Sequence, residues 1–153
     1  FQDFFREGRK GTNTLPLILE SHSDTNLVVL MLGTNDMKTC FKTNEKIISL
    51  GIEKLIEQIR SFNPEIKILL VSPILLGEKV WQENFDPEFD KYSVEVSRLL
   101  KGEYEKVSRN LNTEFLAASD YAAPSEIDQE HMNVENHSLF AAAVAEKIQK
   151  IYA

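Results

Sequence analysis

Asn26-Leu-Val-Val-Leu-Met-Leu-Gly33-Thr34-Asn35-Asp36 is the stretch on which the reading of this chain turns. Six apolar residues, Leu27 to Leu32, run without a polar interruption. Their number and their β-branched members read as a fully buried strand of a parallel sheet. Gly33 and the three polar residues after it end that strand. In open α/β sheets ligands gather beyond the carboxyl ends of the strands, so Gly33-Thr34-Asn35-Asp36 is a candidate site. Taken alone it reads as a turn, because Gly and Asn accept positive φ and Asp caps.

Working outward, helix and strand alternate. Residues 14–21 read as a short helix capped by Thr14, with Pro16 in its first turn. After the quoted stretch, Thr43 is the expected cap of a helix whose inner face carries Ile48, Ile52, Leu55, Ile56 and Ile59 at helical spacing. Phe62-Asn63-Pro64 stops it. Ile66 to Ser72 reads as a second buried strand closed by Pro73. Residues 76–88 form an irregular stretch with Trp81 and Phe85, long enough to line a site. These two aromatics and Phe89 read more simply as core. A helix from about Phe89 to Asn110 places Tyr92, Val96, Leu99, Leu100, Tyr104 and Val107 on one stripe, continued by Leu111. Thr113 to Ala118 is a short strand and 119–133 a loop. A last helix, about Val134 to Tyr152, turns Phe140, Ala143, Val144, Ile148 and Ile151 inward, with Asn133 as its cap.

This order implies an α/β sheet with right-handed crossovers. Three strands are few for a sheet covered on both faces. A βα repeat takes roughly 30 residues, so earlier units of the same sheet are expected upstream of Phe1. Residues 1–153 are then the C-terminal part of one domain.

Composition narrows the function classes. A net charge of −7 argues against a nucleic-acid partner, which calls for a basic face, and against anionic lipid surfaces. No apolar run reaches the length of a membrane span, and no signal peptide is visible. The single cysteine, Cys40, cannot form an internal disulfide. That is compatible with a reducing compartment and favours the cytoplasm as the expected location. Cys40 reads as a buried small hydrophobe, His22 as surface and His137 as structural.

The second polar cluster is Asp128-Gln129-Glu130-His131, between the last strand and the last helix. Alone, it reads as a solvated loop. The fold, however, would bring it to the same rim as Asn35. Acyl transfer calls for a base, a carboxylate that orients it and donors for an oxyanion. His131, Asp128 and the Asn35 amide are of those types, and three residues of tight turn let Asp128 reach the His131 imidazole.

The conjunction resembles a known family. Leu27 to Phe41 (LVVLMLGTNDMKTCF) is similar to the third conserved block of SGNH/GDSL hydrolases. Ile127 to Asn133 (IDQEHMN), with Asn136-His137 and the alanine-rich last helix, is similar to the fifth block, Asp-x-x-His. Arg9-Lys10-Gly11 through Ser21, followed by Met31 to Lys38, is similar to the arylesterase and acyl-transferring members. The resemblance implies a flavodoxin-like three-layer α/β/α sandwich with a parallel sheet in the order 2-1-3-4-5, in which the visible strands are the third, fourth and fifth. It implies a serine esterase acting on small-molecule esters without metal or cofactor. Asp128 and His131 would be catalytic and Asn35 would serve the oxyanion hole, with Gly33, Thr34 and Asp36 beside it. The Gly-Asp-Ser block and the second-block glycine are absent and are expected upstream of Phe1. Gln129 stands where the family often has glycine, and Ser72-Pro73 carries no catalytic role.

Two alternatives stay open. The chain can be a catalytically inactive fragment or binding module, or Cys40 can act as the nucleophile with His131. By itself the chain is expected to hydrolyse esters little or not at all, to be poorly stable and to expose an apolar edge at Leu27 to Leu32. A homo-oligomer is compatible with the sequence.

Overall fold

The computed structural model describes residue 1 and residues 7–153. Its elements are α1 (Gly11–Ser21), β1 (Leu27–Leu30), α2 (Glu45–Phe62), β2 (Lys67–Ser72), α3 (Lys91–Asn110), β3 (Glu114–Ala117) and α4 (Val134–Tyr152). The strands form one parallel sheet in the order β1-β2-β3. Leu27 is in register with Lys67 and Leu30 with Leu70, while Leu69 faces Glu114 and Ser72 faces Ala117.

Three layers result. On one face of the sheet, Leu30, Ile68 and Leu70 pack against α1, α2 and α3 through Leu19, Ile52, Ile56, Ile59, Leu100 and Tyr104. On the other, Leu69, Val71 and Leu116 meet Phe140, Val144, Ile148 and Ile151 of α4. The expected α/β sandwich is what the chain forms. β2 is its spine, with Leu69 to Ser72 wholly buried. Each fully buried aliphatic side chain there contributes about 1.5–3 kcal/mol.

β1 departs from its reading. It is four residues long rather than six, and Val29 is 41% exposed. Among the described residues its only partner is β2, so it is an edge strand. Met31 and Leu32 lie beyond it and are also exposed. An apolar run reads the same whether or not a neighbour covers it.

The helix starts also shift, because the side chain that meets the free backbone N–H groups decides them. α1 begins at Gly11, before Thr14. The Thr14 hydroxyl instead donates to the carbonyls of Gly8 and Lys10. Asn44, not Thr43, caps α2 by accepting from the Ile47 N–H at 3.0 Å. α3 starts at Lys91 with a reciprocal capping box between Asp90 and Ser93. Asn133 caps α4 as expected. On α3, Tyr92 and Leu99 face solvent, while Val94 and three serines lie inside. Those serines are buried because each holds a loop. Ser93 donates to the Met37 carbonyl, Ser97 accepts from the Leu76 N–H, and Ser108 donates to the Thr113 carbonyl.

Candidate functional site

The segment leaving β1 turns at Gly33, whose φ is +129°. A side chain there would be strained by that φ and would run into the Tyr104 hydroxyl. That hydroxyl donates to the Leu32 carbonyl at 2.8 Å. Burial, reinforced by nearby Asp36, pushes the Tyr104 phenol far above its ordinary range, so it remains a neutral donor. Gly33 and Tyr104 together fix where the chain enters the one-turn 3-10 helix Asn35–Met37. Asn35 opens that helix and is exposed. Ser93, from the start of α3, pins its far end at the Met37 carbonyl.

On the opposite loop, Asp128 and His131 form a close pair. Asp128 Oδ2 lies 2.9 Å from His131 Nδ1. Oδ1 accepts from the backbone N–H groups of His131 and Glu130 at 2.9 and 3.0 Å and from the Ser125 hydroxyl at 3.0 Å. Burial pushes the Asp128 carboxyl up, but these hydrogen bonds outweigh it and hold its pKa at about 2. Asp128 is therefore ionised at any ordinary pH and fixed in direction. With its proton on Nδ1, His131 donates to Oδ2, and Nε2 then carries a lone pair. The His131 side chain is 71% exposed. Among the described residues no hydrogen bond engages Nε2.

The turn that allows this geometry is built by Gln129. Its φ is +63°, in the region glycine favours, and the residue is 5% exposed. Hydrogen bonds hold it there. Its N–H donates to the Ser125 carbonyl, its carbonyl accepts from Gly77, and its amide donates to Glu126. Gly77 lies so close that a Cβ on it would overlap the Gln129 side chain. The substitution of glutamine for the family's glycine thus leaves the pairing of Asp128 with His131 intact.

A charged network lies between the two loops. Lys38, three residues beyond Asn35, is 2.5 Å from Glu88 and 3.8 Å from Asp86. Burial pulls the Lys38 ammonium down, but Glu88, Asp86 and Glu130 more than offset this, and its pKa is raised. The Thr39 N–H and hydroxyl both donate to the Glu88 carbonyl. The Asn35 segment and the 76–88 loop are therefore fastened together. Glu130 is raised above the usual carboxylate range, first by burial and then by Asp86 and Asp128, against the opposing pull of His131 and Lys38.

A groove of about 580 Å³ runs beside Asn35, between α1, α2 and the segment after β1. Gly33, Thr34, Asn35, Asp36 and Lys38 line it, and Asp128 and His131 do not. Cys40 also lines it and is exposed. The expectation of a buried Cys40 is thus corrected: it sits in the outward one-turn helix Thr39–Phe41. His22 is exposed as expected. His137, expected to be structural, is exposed as well, and its backbone N–H closes the first turn of α4. Phe89 is buried core and Trp81 packs against it partly buried. Lys38, Glu88, Glu130 and the serines of α3 were not among the sequence candidates. Charge and hydroxyl placement of that kind carries no periodic signal. Among the described residues no three His, Cys, Asp or Glu side chains converge as a metal-ligand set, and no helix is long and apolar enough to cross a membrane.

Comparison with known proteins adds the relationship. A comparison with curated protein sequences returned no match. Among solved structures, the carbohydrate acetylesterase Est24 from Sinorhizobium meliloti is 29% identical, with a TM-score of 0.88 over 99% of this chain and 73% of its own. Another solved chain is 36% identical over 92% of this one, with a TM-score of 0.88, and this chain spans 66% of its length. The M. smegmatis aryl esterase, at 22% identity, shares the fold with a TM-score of 0.86 over 98% of this chain and 72% of its own. The profile of the GDSL-like lipase/acylhydrolase family matches residues 3–137, and on that match the chain belongs to this family.

Proposed function

We propose that this chain carries the histidine, aspartate and asparagine of a serine esterase that cleaves small-molecule carboxylic esters, with the nucleophilic serine supplied by a segment upstream of Phe1. The observation that carries the reading is the Asp128–His131 pair. A carboxylate fixed by three further donors holds one imidazole nitrogen at 2.9 Å, and the other nitrogen is left for a hydroxyl. A base so oriented takes the proton of an attacking serine and returns it to the leaving alcohol. Asp128 holds the tautomer and stabilises the imidazolium. Asn35, exposed at the carboxyl end of β1, supplies an amide N–H toward the oxyanion, and Gly33, Thr34 and Asp36 shape the turn that presents it. Water then releases the acid, and another alcohol in its place gives acyl transfer. Membership of the acylhydrolase family and the likeness to a carbohydrate acetylesterase support ester bonds as the substrate class.

The test is to label the full natural protein with a serine-reactive fluorophosphonate and to map the label by peptide mass spectrometry. A single labelled serine upstream of Phe1 is expected, with labelling at least about 1,000-fold slower in His131→Ala, in line with the loss of a triad base. A natural protein that starts at Phe1 and takes no label would overturn the reading. Ester hydrolysis with no labelled serine, abolished by alkylation of Cys40, would move the nucleophile to that thiol.

A further inference from the structure

We propose that Glu130 is a positioning residue for His131, a second carboxylate on the Nδ1 side of the imidazole that favours the imidazolium formed when His131 accepts a proton. The inference rests on the esterase reading for its purpose, but not for its geometry. Glu130 Oε2 lies 3.8 Å from His131 Nδ1, where opposite charges interact appreciably. The Glu130 side chain is only 11% exposed. Among the described residues no hydrogen-bond donor reaches its carboxylate. A carboxylate largely shielded from water and without protein donors is less favourable as an anion unless a positive charge is near. The candidates are the imidazolium of His131 and the ammonium of Lys38, the two groups whose charges act to keep Glu130 ionised. Facing them from the packed elements are Asp128 in its own loop and Asp86 in the 76–88 loop, both of which oppose that ionisation.

The arrangement differs from the Asp128 contact in kind. Asp128 is saturated with donors and ionised throughout the working range, so it sets direction. Glu130 has none, and its pKa is raised, so its charge answers to its neighbours. Lys38 is one of them, and it belongs to the segment that presents Asn35.

The experiment reads the imidazole directly. In the full natural protein, the pH midpoint of the His131 ring resonances is followed by NMR, with His22 and His137 as internal references. Glu130→Gln keeps the shape and removes the charge. Its midpoint is expected to fall by about half a unit or more, a magnitude suited to one charge at this distance in a partly solvated site. Glu130→Lys, which reverses the charge, is expected to fall further. A mere packing role would give no such ordering by charge. The acid limb of kcat/KM should move down with the midpoint. A midpoint unmoved in both variants, with the references unchanged, overturns the proposal. The NMR midpoint needs no turnover, so an absence of ester hydrolysis would count against the esterase reading and leave this inference to be decided by the titration.

Discussion

The backbone N–H of Gly77 donates to the carbonyl oxygen of Gln129 at 2.7 Å, and the two residues are packed so closely that any side chain on Gly77 would overlap Gln129. The glutamine holds the left-handed turn between Asp128 and His131, so a glycine 52 residues earlier underwrites the dyad. Gly77→Ala should therefore destabilise the fold by about 1–3 kcal/mol, the usual cost of overpacking a well-filled site. Chemical denaturation measures it, and a change below about 0.5 kcal/mol would show that the loop yields instead.

Gly33 and Tyr104 should be energetically coupled. Gly33→Ala places a methyl against the Tyr104 hydroxyl at a φ of +129°, and a loss of about 2–4 kcal/mol is expected from strain and overlap together. Tyr104→Phe alone should cost about 1 kcal/mol, the loss of the hydrogen bond to the Leu32 carbonyl. The double variant removes the overlapping hydroxyl and should be less damaged than the sum. Strict additivity in a double-mutant cycle would refute the close approach.

Asn35→Ala tests the oxyanion role in isolation. Asn35 is exposed, so melting behaviour should stay within about 0.5 kcal/mol of the parent. Ester hydrolysis by the full protein should fall roughly 100- to 1,000-fold in kcat, as for loss of one preorganised donor. A fall in stability comparable to the fall in rate would assign Asn35 a structural part instead.

Asp128 makes stability depend on pH in a defined window. Its pKa is depressed to about 2 from 3.8, so its contribution is fully present above the unfolded value and disappears as pH falls through the folded one. The parent should therefore lose stability between about pH 4 and pH 2 more steeply than Asp128→Asn. Parallel curves for the two proteins would contradict the hydrogen-bonded carboxylate. In the full enzyme Asp128→Asn should also lower kcat by about 10,000-fold, by analogy with loss of the orienting aspartate in a serine protease.

The helical stripe Ile48-Ile52-Leu55-Ile56-Ile59 and the run Ile66 to Ser72 were legible because burial imposes a period and a length on a sequence. The alternation alone put Asn35 after the first strand and Asp128–His131 after the last, and the structure keeps that order. Three things were not legible. The exposure of Val29 depends on whether a neighbouring strand pairs with β1, which no local pattern records. The burial of Ser93, Ser97 and Ser108 on α3 depends on the loops they anchor. The exposure of Cys40 depends on where a one-turn helix happens to project.

The sequence by itself determined the alternation of helix and strand and the residue types after the strand ends, because apolar periodicity and turn chemistry act over a few residues, while the three layers were implied by the family resemblance. Only the tertiary structure decided that Gln129 can hold a glycine-like turn, that Asp128 meets His131 Nδ1 at 2.9 Å, and that Lys38 and Glu130 place charge between the two loops. Those outcomes rest on contacts between residues tens of positions apart, whose energies depend on distance and burial that a linear pattern does not contain.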